Sequence, residues 1–285
     1  MKLNNIGKWN VYALETGFFK LDGGAMMGSV PKVLWNETNP CDSKNRIDLA
    51  LRCLLVDDGV NVVLIETGIG HKNSQKFIDM FQIDHSKYTL SNTLSKYNYN
   101  HKNITHVILT HLHFDHSGGA ISKDKEGQLI PSFPNAKYYI SKRNWEAGLH
   151  PSPRDRASYL KENYILLKEK GLLNLVDDNT EIINGISNYM VDGHTTGQQL
   201  IKISDQGQTI VFCSDLIPLK SHLKLPWIMG YDLNAALTLK EKKTFLDKAS
   251  DEGWLLFFYH DPKIIAVKIK KDEKYYKVID EYSRR

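Results

Sequence analysis

The hydrophobic positions of this chain fall mainly into short continuous runs, and polar residues stand at the ends of these runs. Short apolar runs bounded by polar turns are typical of buried strands. Three runs are followed by a histidine or an aspartate: residues 107–110 by His111, residues 209–213 by Asp215, and residues 254–259 by His260. In a fourth place, His194 lies between glycines just before the strand-like residues 199–203. The pattern predicts strand ends that converge on one cleft.

Further strands and helices are predicted around these runs. Residues 9–14, 51–56 and 61–65 have strand character, and Asp57-Asp58-Gly59 predicts a hairpin between the last two. Residues 90–97, 155–170 and 239–249 have helical spacing with few helix breakers. The elements therefore come in two successive rounds, each rich in strands and each with helices to cover a sheet face.

The segment 111–116 carries four potential metal ligands: His111, His113, Asp115 and His116. In an extended segment, His111 and His113 project to the same side. Asp115 and His116 would then turn back on the following loop and face a second position. A single histidine on a strand is usually a packed or surface residue, but this combination indicates a metal loop that serves two ions.

His194, Asp215 and His260 are the other candidate ligands. Each one alone is about as often an ordinary turn residue as a ligand, because turns favour polar residues. Their shared position at strand ends favours the ligand role. Imidazoles and carboxylates suit zinc, iron, manganese or cobalt. The sequence therefore predicts two divalent metal ions, with zinc as the first choice.

This ligand order resembles that of the metallo-β-lactamase superfamily of hydrolases. The loop 111–116, the lone His194, Asp215 and the late His260 follow the order of that family. Three softer segments, 22–26, 30–35 and 226–232, are most similar to its quorum-quenching, N-acyl homoserine lactonase-like branch. The resemblance implies an α/β (α+β) fold, a four-layer αββα sandwich. Without a break in composition that would suggest a linker, one domain over residues 1–285 is expected.

The resemblance also implies a division of the ligands. His111, His113 and His194 would hold one metal ion, Asp115, His116 and His260 would hold the other, and Asp215 would bridge them. A water molecule shared by two divalent ions loses its proton near neutral pH, and the hydroxide would attack an ester-like carbonyl. Asp115 would pass a proton to the leaving oxygen.

The branch resemblance implies a lactone substrate, with an N-acyl homoserine lactone as the first choice. Apolar, adaptable side chains that could hold an acyl tail are Met26, Met27, Trp227, Met229 and Tyr231. Without the resemblance, Trp227 and Met229 would be assigned to the core. The alternative is another ester or phosphoester hydrolase of the same fold, such as an arylesterase or an organophosphate or phosphodiester hydrolase. A non-catalytic binding protein and an oxygen-reducing di-iron module are less favoured.

Two positions depart from the family pattern. Pro218 stands where homoserine lactonases carry a tyrosine, three residues after the bridging aspartate. Either another donor then assists the carbonyl or the substrate differs. His222 and Tyr231 are the two candidate donors, and they join Asp115 as predicted catalytic residues. Glu66 stands where the superfamily usually carries an aspartate that orients the metal loops.

Composition narrows the function classes further. The 37 basic and 33 acidic side chains leave a net charge of only +4, so no nucleic-acid partner is expected. The chain shows no apolar run of membrane-spanning length and no secretory pattern, which predicts a cytoplasmic protein without a membrane partner. Three cysteines lack metal-site spacing, and only Cys213 is close to a candidate ligand. The expected partner is a small ester or lactone substrate, with a homodimer left open.

Overall fold

The structure is a computed structural model that describes residues 1–273 and 275–284. Two large β-sheets and a two-stranded sheet make up its strands. The strands are β1 (Asn10–Asp22), β2 (Arg46–Asp57), β3 (Val62–Ile65), β4 (His106–Ile108), β5 (Ile121–Lys123), β6 (Leu129–Pro131), β7 (Lys137–Ser141), β8 (Leu173–Val176), β9 (Glu181–Ile183), β10 (Ile186–Val191), β11 (Gln198–Asp205), β12 (Gln208–Phe212), β13 (Leu255–Phe257), β14 (Ile264–Asp272) and β15 (Tyr275–Ser283). The helices are α1 (Gly23–Met27), α2 (Lys32–Thr38), α3 (Gln75–Phe81), α4 (Leu90–Ser95), α5 (Phe114–Ser117), α6 (Lys142–Leu149), α7 (Ile165–Glu169) and α8 (Ala235–Asp251).

The first sheet has the strand order β1-β2-β3-β4-β7-β8. The predicted hairpin joins β2 and β3, where Asp57 pairs with Val62 in antiparallel register. Gly59 has φ +87 in the turn, a left-handed conformation that glycine adopts without strain. β4 pairs in parallel with both β3 and β7, so it lies inside the sheet. The loop that follows β4 therefore starts from a fixed position.

The second sheet has the order β15-β14-β13-β12-β11-β10-β9. Its central strands are buried on both faces, which explains their continuous apolar runs. In β12, Ile210 and Phe212 join the core that also contains first-sheet residues, whereas Val211 joins the core that also contains α8 residues. β12 and β13 confirm strands within the predicted runs 209–213 and 254–259, although β13 covers only Leu255–Phe257 of its run.

Helices cover the outer faces of the two sheets and complete the expected αββα arrangement. α4 contacts β1, α6 contacts β7, and α8 contacts β14. The predicted helices at 90–97 and 239–249 correspond to α4 and α8. α8 begins earlier than predicted because the side chain of Asn234 accepts a hydrogen bond from the Leu237 N–H and caps the helix. No helix in the described part of the chain is long and apolar enough to cross a membrane.

The single helix predicted over residues 155–170 is wrong. The segment contains two short 3₁₀ turns and ends in the short helix α7. Two buried tyrosines explain the difference: the Tyr159 hydroxyl pairs with Thr195 Oγ1, and the Tyr164 hydroxyl donates to the Gly148 carbonyl. Both tyrosines have non-helical backbone angles. These tertiary contacts outweigh the local helical preference of the segment.

Candidate metal centre

The loop that follows β4 delivers four of the predicted ligands. β4 ends at Ile108, and residues 109–113 have no regular secondary structure as far as His113, which occupies the N-cap position of α5. The single turn of α5 then places Asp115 and His116 next to the two preceding histidines. His111 and His116 are completely buried, and Asp115 and His113 are less than 10% exposed.

Three imidazoles form the first group of donors. His113 Nδ1 lies 3.0 Å from His111 Nε2 and 3.3 Å from His194 Nε2. His194 comes from the turn between β10 and β11, so the second sheet supplies this donor. Three converging ring nitrogens are typical of a metal site, because each neutral imidazole can coordinate a shared cation through the lone pair of one nitrogen.

Asp115, His116 and His260 form the second group. Asp115 Oδ2 lies 3.7 Å from His116 Nε2 and 3.5 Å from His260 Nε2. The ligand atoms of each group lie within 4.8 Å of one another. His260 directly follows the Phe258-Tyr259 stretch at the end of β13, and its Nδ1 lies 3.0 Å from the Ala50 carbonyl in β2.

Asp215 lies between the two groups and turns one carboxylate oxygen to each. Its Oδ2 is 3.3 Å from His194 Nε2 and 4.0 Å from His111 Nε2. Its Oδ1 is 3.4 Å from both His116 Nε2 and His260 Nε2. The geometry is that of a carboxylate between two positions, as the family resemblance implied for this residue.

The donor set fits two divalent cations. His116 Nε2 and Asp215 Oδ1 are buried and have no hydrogen-bond partner, although unpaired buried polar atoms are costly. Burial, followed by the charge of neighbouring histidines, holds the pKa of His111 and of His113 well below the usual value. These imidazoles are therefore neutral, which is the form that binds a metal. For Asp215, burial is outweighed by the charges of His116 and His260, and the pKa lies well below its usual range.

Side chains behind the ligands fix their orientation. Glu66 has φ +68 at the end of β3, and its Oε1 accepts a hydrogen bond from the Thr110 N–H at 2.8 Å. The same oxygen lies 3.5 Å from His116 Nδ1. Glu66 thus reaches the metal loop from β3, as expected of the residue that replaces the family's aspartate.

Asp232 is a candidate site residue that the sequence reasoning missed. Its Oδ1 accepts a hydrogen bond from His194 Nδ1 at 2.9 Å, and Asp232 is 4% exposed. A histidine that binds a metal usually donates its second ring N–H to a carboxylate in this way. The only available signal was an aspartate within the segment 226–232, and its partner is 38 residues away.

A cleft of about 360 Å³ opens onto the candidate centre. Residues from both groups of donors reach it: His113, Asp115, His194, Asp215 and His260. The apolar side chains in its lining are Leu21, Met26, Phe81, Phe114, Ala157 and Met229. Besides the candidate ligands, its polar side chains are Arg154, Asp155, Ser158 and Tyr231.

The predicted substrate residues divide into two sets. Met26, Met229 and Tyr231 line the cleft. Met27 and Trp227 do not line it, although all four apolar residues of the prediction belong to the same hydrophobic core. Tyr231 is 39% exposed, and burial, followed by the charges of Asp22 and Asp115, raises its pKa to about 12.

The structure places His222 away from the cleft, contrary to expectation. It is 1% exposed, and its Nε2 donates to the Met26 carbonyl at 3.0 Å. Burial, followed by the charge of Lys242, lowers its pKa to about 3. The 3₁₀ turn at Lys220–Leu223 directs this side chain into the protein, where it supports the backbone of a cleft residue. Cys213 is also outside the described ligand groups, because β12 ends at Phe212 and the strand alternation stops there.

Comparisons with known proteins agree with this geometry. Residues 50–260 match the model of the Metallo-beta-lactamase superfamily. A solved structure of a probable metal-dependent hydrolase from Staphylococcus aureus is 29% identical, covers 99% of both chains and has a TM-score of 0.89. The dizinc quorum-quenching lactonase AidC, solved with a homoserine product, is 22% identical with a TM-score of 0.81, covering 100% of this chain and 98% of that one. An N-acyl homoserine lactonase of Bacillus thuringiensis is 24% identical over 229 residues, which are 75% of this chain and 82% of the relative.

Proposed function

The chain belongs to the metallo-beta-lactamase superfamily, and on this premise we propose that it is a dinuclear-metal hydrolase that opens the ring of a lactone. An N-acyl homoserine lactone is the preferred substrate. The observation that carries this proposal is the combination of two adjacent donor groups with a cleft whose lining is largely apolar. The similarity to lactonases of low identity supports the same substrate class.

The proposed ligands are seven side chains, six in the two groups and Asp215 between them. His111, His113 and His194 would hold one ion, Asp115, His116 and His260 would hold the other, and the Asp215 carboxylate would serve both positions. When bound, two divalent ions lower the pKa of a shared water molecule and polarise a substrate carbonyl. The residues of the chain orient the ions, exclude bulk water and supply protons.

Apolar side chains of the cleft hold the acyl tail. Met26, Phe114 and Met229 lie beside the donors Asp115 and His260 in the cleft lining. Methionine adapts its shape to an irregular apolar ligand, and burial of each CH₂ group of a tail contributes about 0.8 kcal/mol. The lactone ring is thereby held over the two groups of donors.

Tyr231 and Asp115 have the two polar roles. The Tyr231 hydroxyl is protonated at neutral pH, as tyrosines ordinarily are, and its pKa of about 12 extends this to alkaline pH, so it can donate a hydrogen bond to the substrate carbonyl oxygen. Asp115 reaches the cleft with its carboxylate and moves a proton to the ring oxygen that leaves.

A substrate panel tests the proposal. Zinc-loaded protein is given N-hexanoyl homoserine lactone, 4-nitrophenyl hexanoate and a 4-nitrophenyl phosphodiester, and kcat/KM is measured for each. The expected order places the lactone first. Asp115→Asn keeps the shape of the side chain but removes its charge, so turnover is expected to fall at least about a hundredfold. A variant with full metal content and unchanged lactone turnover would exclude Asp115 as the proton donor.

One observation favours a second candidate, a phosphoester hydrolase. Arg154 is exposed at the cleft and has no carboxylate partner among the described ion pairs. A guanidinium group binds phosphate oxygens well. If the phosphodiester gives the highest kcat/KM and Arg154→Ala lowers it selectively, this second function replaces the first.

A further inference from the structure

Three histidines that the proposed metal centre does not use line one small cavity. His71, His85 and His101 surround a space of about 190 Å³ behind the metal loop. Lys72 and Lys123 line the same cavity, and its lining contains no aspartate or glutamate. Every ionisable side chain of the lining is therefore basic. At about 30 Å³ per water molecule, the cavity has room for roughly six waters, enough for a small anion with part of its hydration.

His85 is held between two backbone carbonyls at the edge of this cavity. Its Nδ1 lies 2.9 Å from the Thr16 carbonyl and its Nε2 lies 3.2 Å from the Gly70 carbonyl. Backbone carbonyls only accept hydrogen bonds, so a ring N–H of His85 donates to the backbone, and these contacts fix the position of the ring.

The backbone around His85 is shaped to receive its ring. Gly17 lies at the irregularity of β1 between Glu15 and Phe18, with φ +141. A Cβ atom at this position would be 2.5 Å from His85 Nδ1. Only glycine lets the ring approach the β1 backbone this closely.

The lysine side chains of the cavity form no ion pair with a carboxylate of the described residues. Lys72 is half-buried, and its Nζ donates only to the carbonyls of Gly118 and Ile121. The described ion pairs include none with the five basic residues of the lining. Two carboxylates interact with these residues through their charge: Asp84 with His85, and Glu162 with Lys72. Neither carboxylate lines the cavity.

The titration of two cavity residues shows the resulting positive field. Burial, followed by the charges of His85 and His101, lowers the pKa of His71 to about 4. Burial lowers the pKa of Lys72 to about 8, and the charge of Lys123 adds to this effect while Glu162 opposes it. A further positive charge is thus disfavoured in this cavity, and an anion is favoured.

Hydroxyl groups complete the set of donors. Ser91 and Ser122 line the cavity, and Ser91 Oγ lies 2.9 Å from His101 Nε2. His101 Nδ1 donates to the Ser132 carbonyl, so Nε2 accepts from Ser91 when the ring is neutral. Lys72 Nζ has three N–H groups for two carbonyl acceptors, and it is joined by the ammonium of Lys123 and the hydroxyl of Ser122, so donors remain for the oxygens of a tetrahedral anion.

We propose that this cavity, formed by His71, Lys72, His85, His101 and Lys123, is a binding site for a small oxyanion of the phosphate type. It lies on the outer side of the metal loop, because its lining also includes Thr67 and Gly119, whose backbone groups bond to His116 and Gly68. The site is separate from the substrate cleft and does not depend on the proposed lactone activity.

Calorimetry with the zinc-loaded protein tests the proposal. Inorganic phosphate and methylphosphonate, a stable analogue of a phosphomonoester, are titrated at pH 6.5 and constant ionic strength. The first probe represents free phosphate and the second an organic phosphate, so the tighter one identifies the source. Lys72→Met and Lys123→Ala should each weaken binding, and loss of the half-buried Lys72 should weaken it by about tenfold or more, since a hydrogen bond to a charged group contributes about 1.5–3 kcal/mol.

Lys125→Ala is the matched control, because Lys125 lies on the same β5–β6 hairpin but outside the cavity lining. Its affinity should equal that of the wild type. Zinc content and melting temperature establish that each variant is folded, and Lys123→Ala, at an exposed position, keeps the test valid if Lys72→Met does not fold. Absence of phosphate binding at millimolar concentration would overturn the proposal. Binding that neither lysine variant weakens would also overturn it, because the phosphate would then be bound elsewhere, for example at the metal centre.

Nuclear magnetic resonance of the histidine rings provides the second measurement. The ¹⁵N signals of His71 and His85 should shift on addition of phosphate, and Lys72→Met should reduce these shifts. Shifts confined to histidines of the metal centre would contradict the assignment.

Discussion

The two ring nitrogens of His194 face different partners, and this division sets the role of the residue. Nε2 lies 3.3 Å from Asp215 Oδ2, within the donor group, while Nδ1 donates to Asp232. Burial lowers the pKa of His194, but the hydrogen bond to Asp232 and the charge of Asp215 outweigh it, and the net shift is upward. Asp232 therefore keeps Nε2 directed at the metal position.

Replacement of Asp232 by alanine is expected to weaken metal binding about 10- to 100-fold, because the His194 ring loses the acceptor that orients it. Asp232→Asn retains an acceptor oxygen and should give a smaller loss. Zinc affinity is measured by competition with a chelator of known strength. Asp251→Asn, at the exposed end of α8, is the control. Equal zinc affinity in wild type and Asp232→Ala would show that Asp232 has no positioning role.

Tyr231 and His222 were rival candidates for the same task, and their positions differ. Tyr231 lines the cleft, whereas His222 is buried against the Met26 carbonyl. Tyr231→Phe removes only the hydroxyl, so we expect lactone turnover to fall roughly ten- to a thousandfold, as loss of one oxyanion donor can cause. His222→Ala should mainly lower stability. Steady-state kinetics at full zinc occupancy would reverse this assignment if the larger loss of kcat occurred in His222→Ala.

At the scale of elements, α8 does more than cover the second sheet. Its buried face contains Phe245, Leu246 and Ala249, and also the fully buried Lys242. The Lys242 Nζ donates to the carbonyls of Trp227 and Lys224, so the helix holds the segment that leads to Met229 and Tyr231. One helix thereby links the outer core to a wall of the cleft.

The buried Lys242 predicts a distinct dependence of stability on pH. Burial, opposed by the charge of Asp232, lowers its pKa to about 7 in the folded protein, against 10.5 as the ordinary value. Between these two pH values the unfolded chain binds more protons than the folded one, so stability rises with pH through this window, by at most about 1.4 kcal/mol per pH unit. Below pH 7 both states are protonated and the contribution of Lys242 is least favourable.

Lys242→Met removes this titration. The free energy of unfolding of the wild type minus that of the variant should therefore increase from pH 7 to pH 10 and stay level below pH 7. Urea denaturation of both proteins across this range measures the difference, and the titrations of all other groups cancel. A difference that is constant or decreases over the same range would contradict the buried, uncharged state of Lys242.

At the scale of the whole molecule, the candidate metal centre joins the two sheets. The loop after β4 brings His111, His113, Asp115 and His116 from the first sheet. The second sheet brings His194, Asp215 and His260. Each donor group takes residues from both sheets, so bound ions would stabilise the packing of one sheet on the other as well as the loops.

Removal of the metal is therefore expected to lower stability as well as activity. Protein purified without chelator should contain close to two divalent ions per chain by elemental analysis. Dialysis against a chelator should abolish turnover and lower the melting temperature by about 10 °C, since saturation at 1,000 times Kd contributes about 4 kcal/mol. Zinc, manganese or cobalt should restore both. Fully active protein with one ion or none would disprove the dinuclear centre.

Much of the fold was determined by the sequence alone. The apolar runs of β12 and β13 and the turn at Asp57-Asp58-Gly59 predicted elements that the structure confirms. Burial on both faces and the type of turn depend on residues that are adjacent in the sequence, so the sequence shows them directly. The superfamily fold was likewise predicted from the ligand order and is confirmed. The ligand set itself stays a prediction that the geometry supports.

Tertiary structure alone decided the partners of these residues. Asp232 reaches His194 across 38 positions, and His222 points into the protein although Tyr231 nearby lines the cleft. Residues 155–170 lose their helix to the hydroxyl contacts of Tyr159 and Tyr164. The physical reason is the same in each case. These side-chain positions and backbone conformations depend on hydrogen bonds and burial between segments far apart in the chain, which local patterns of hydrophobic and polar residues do not predict.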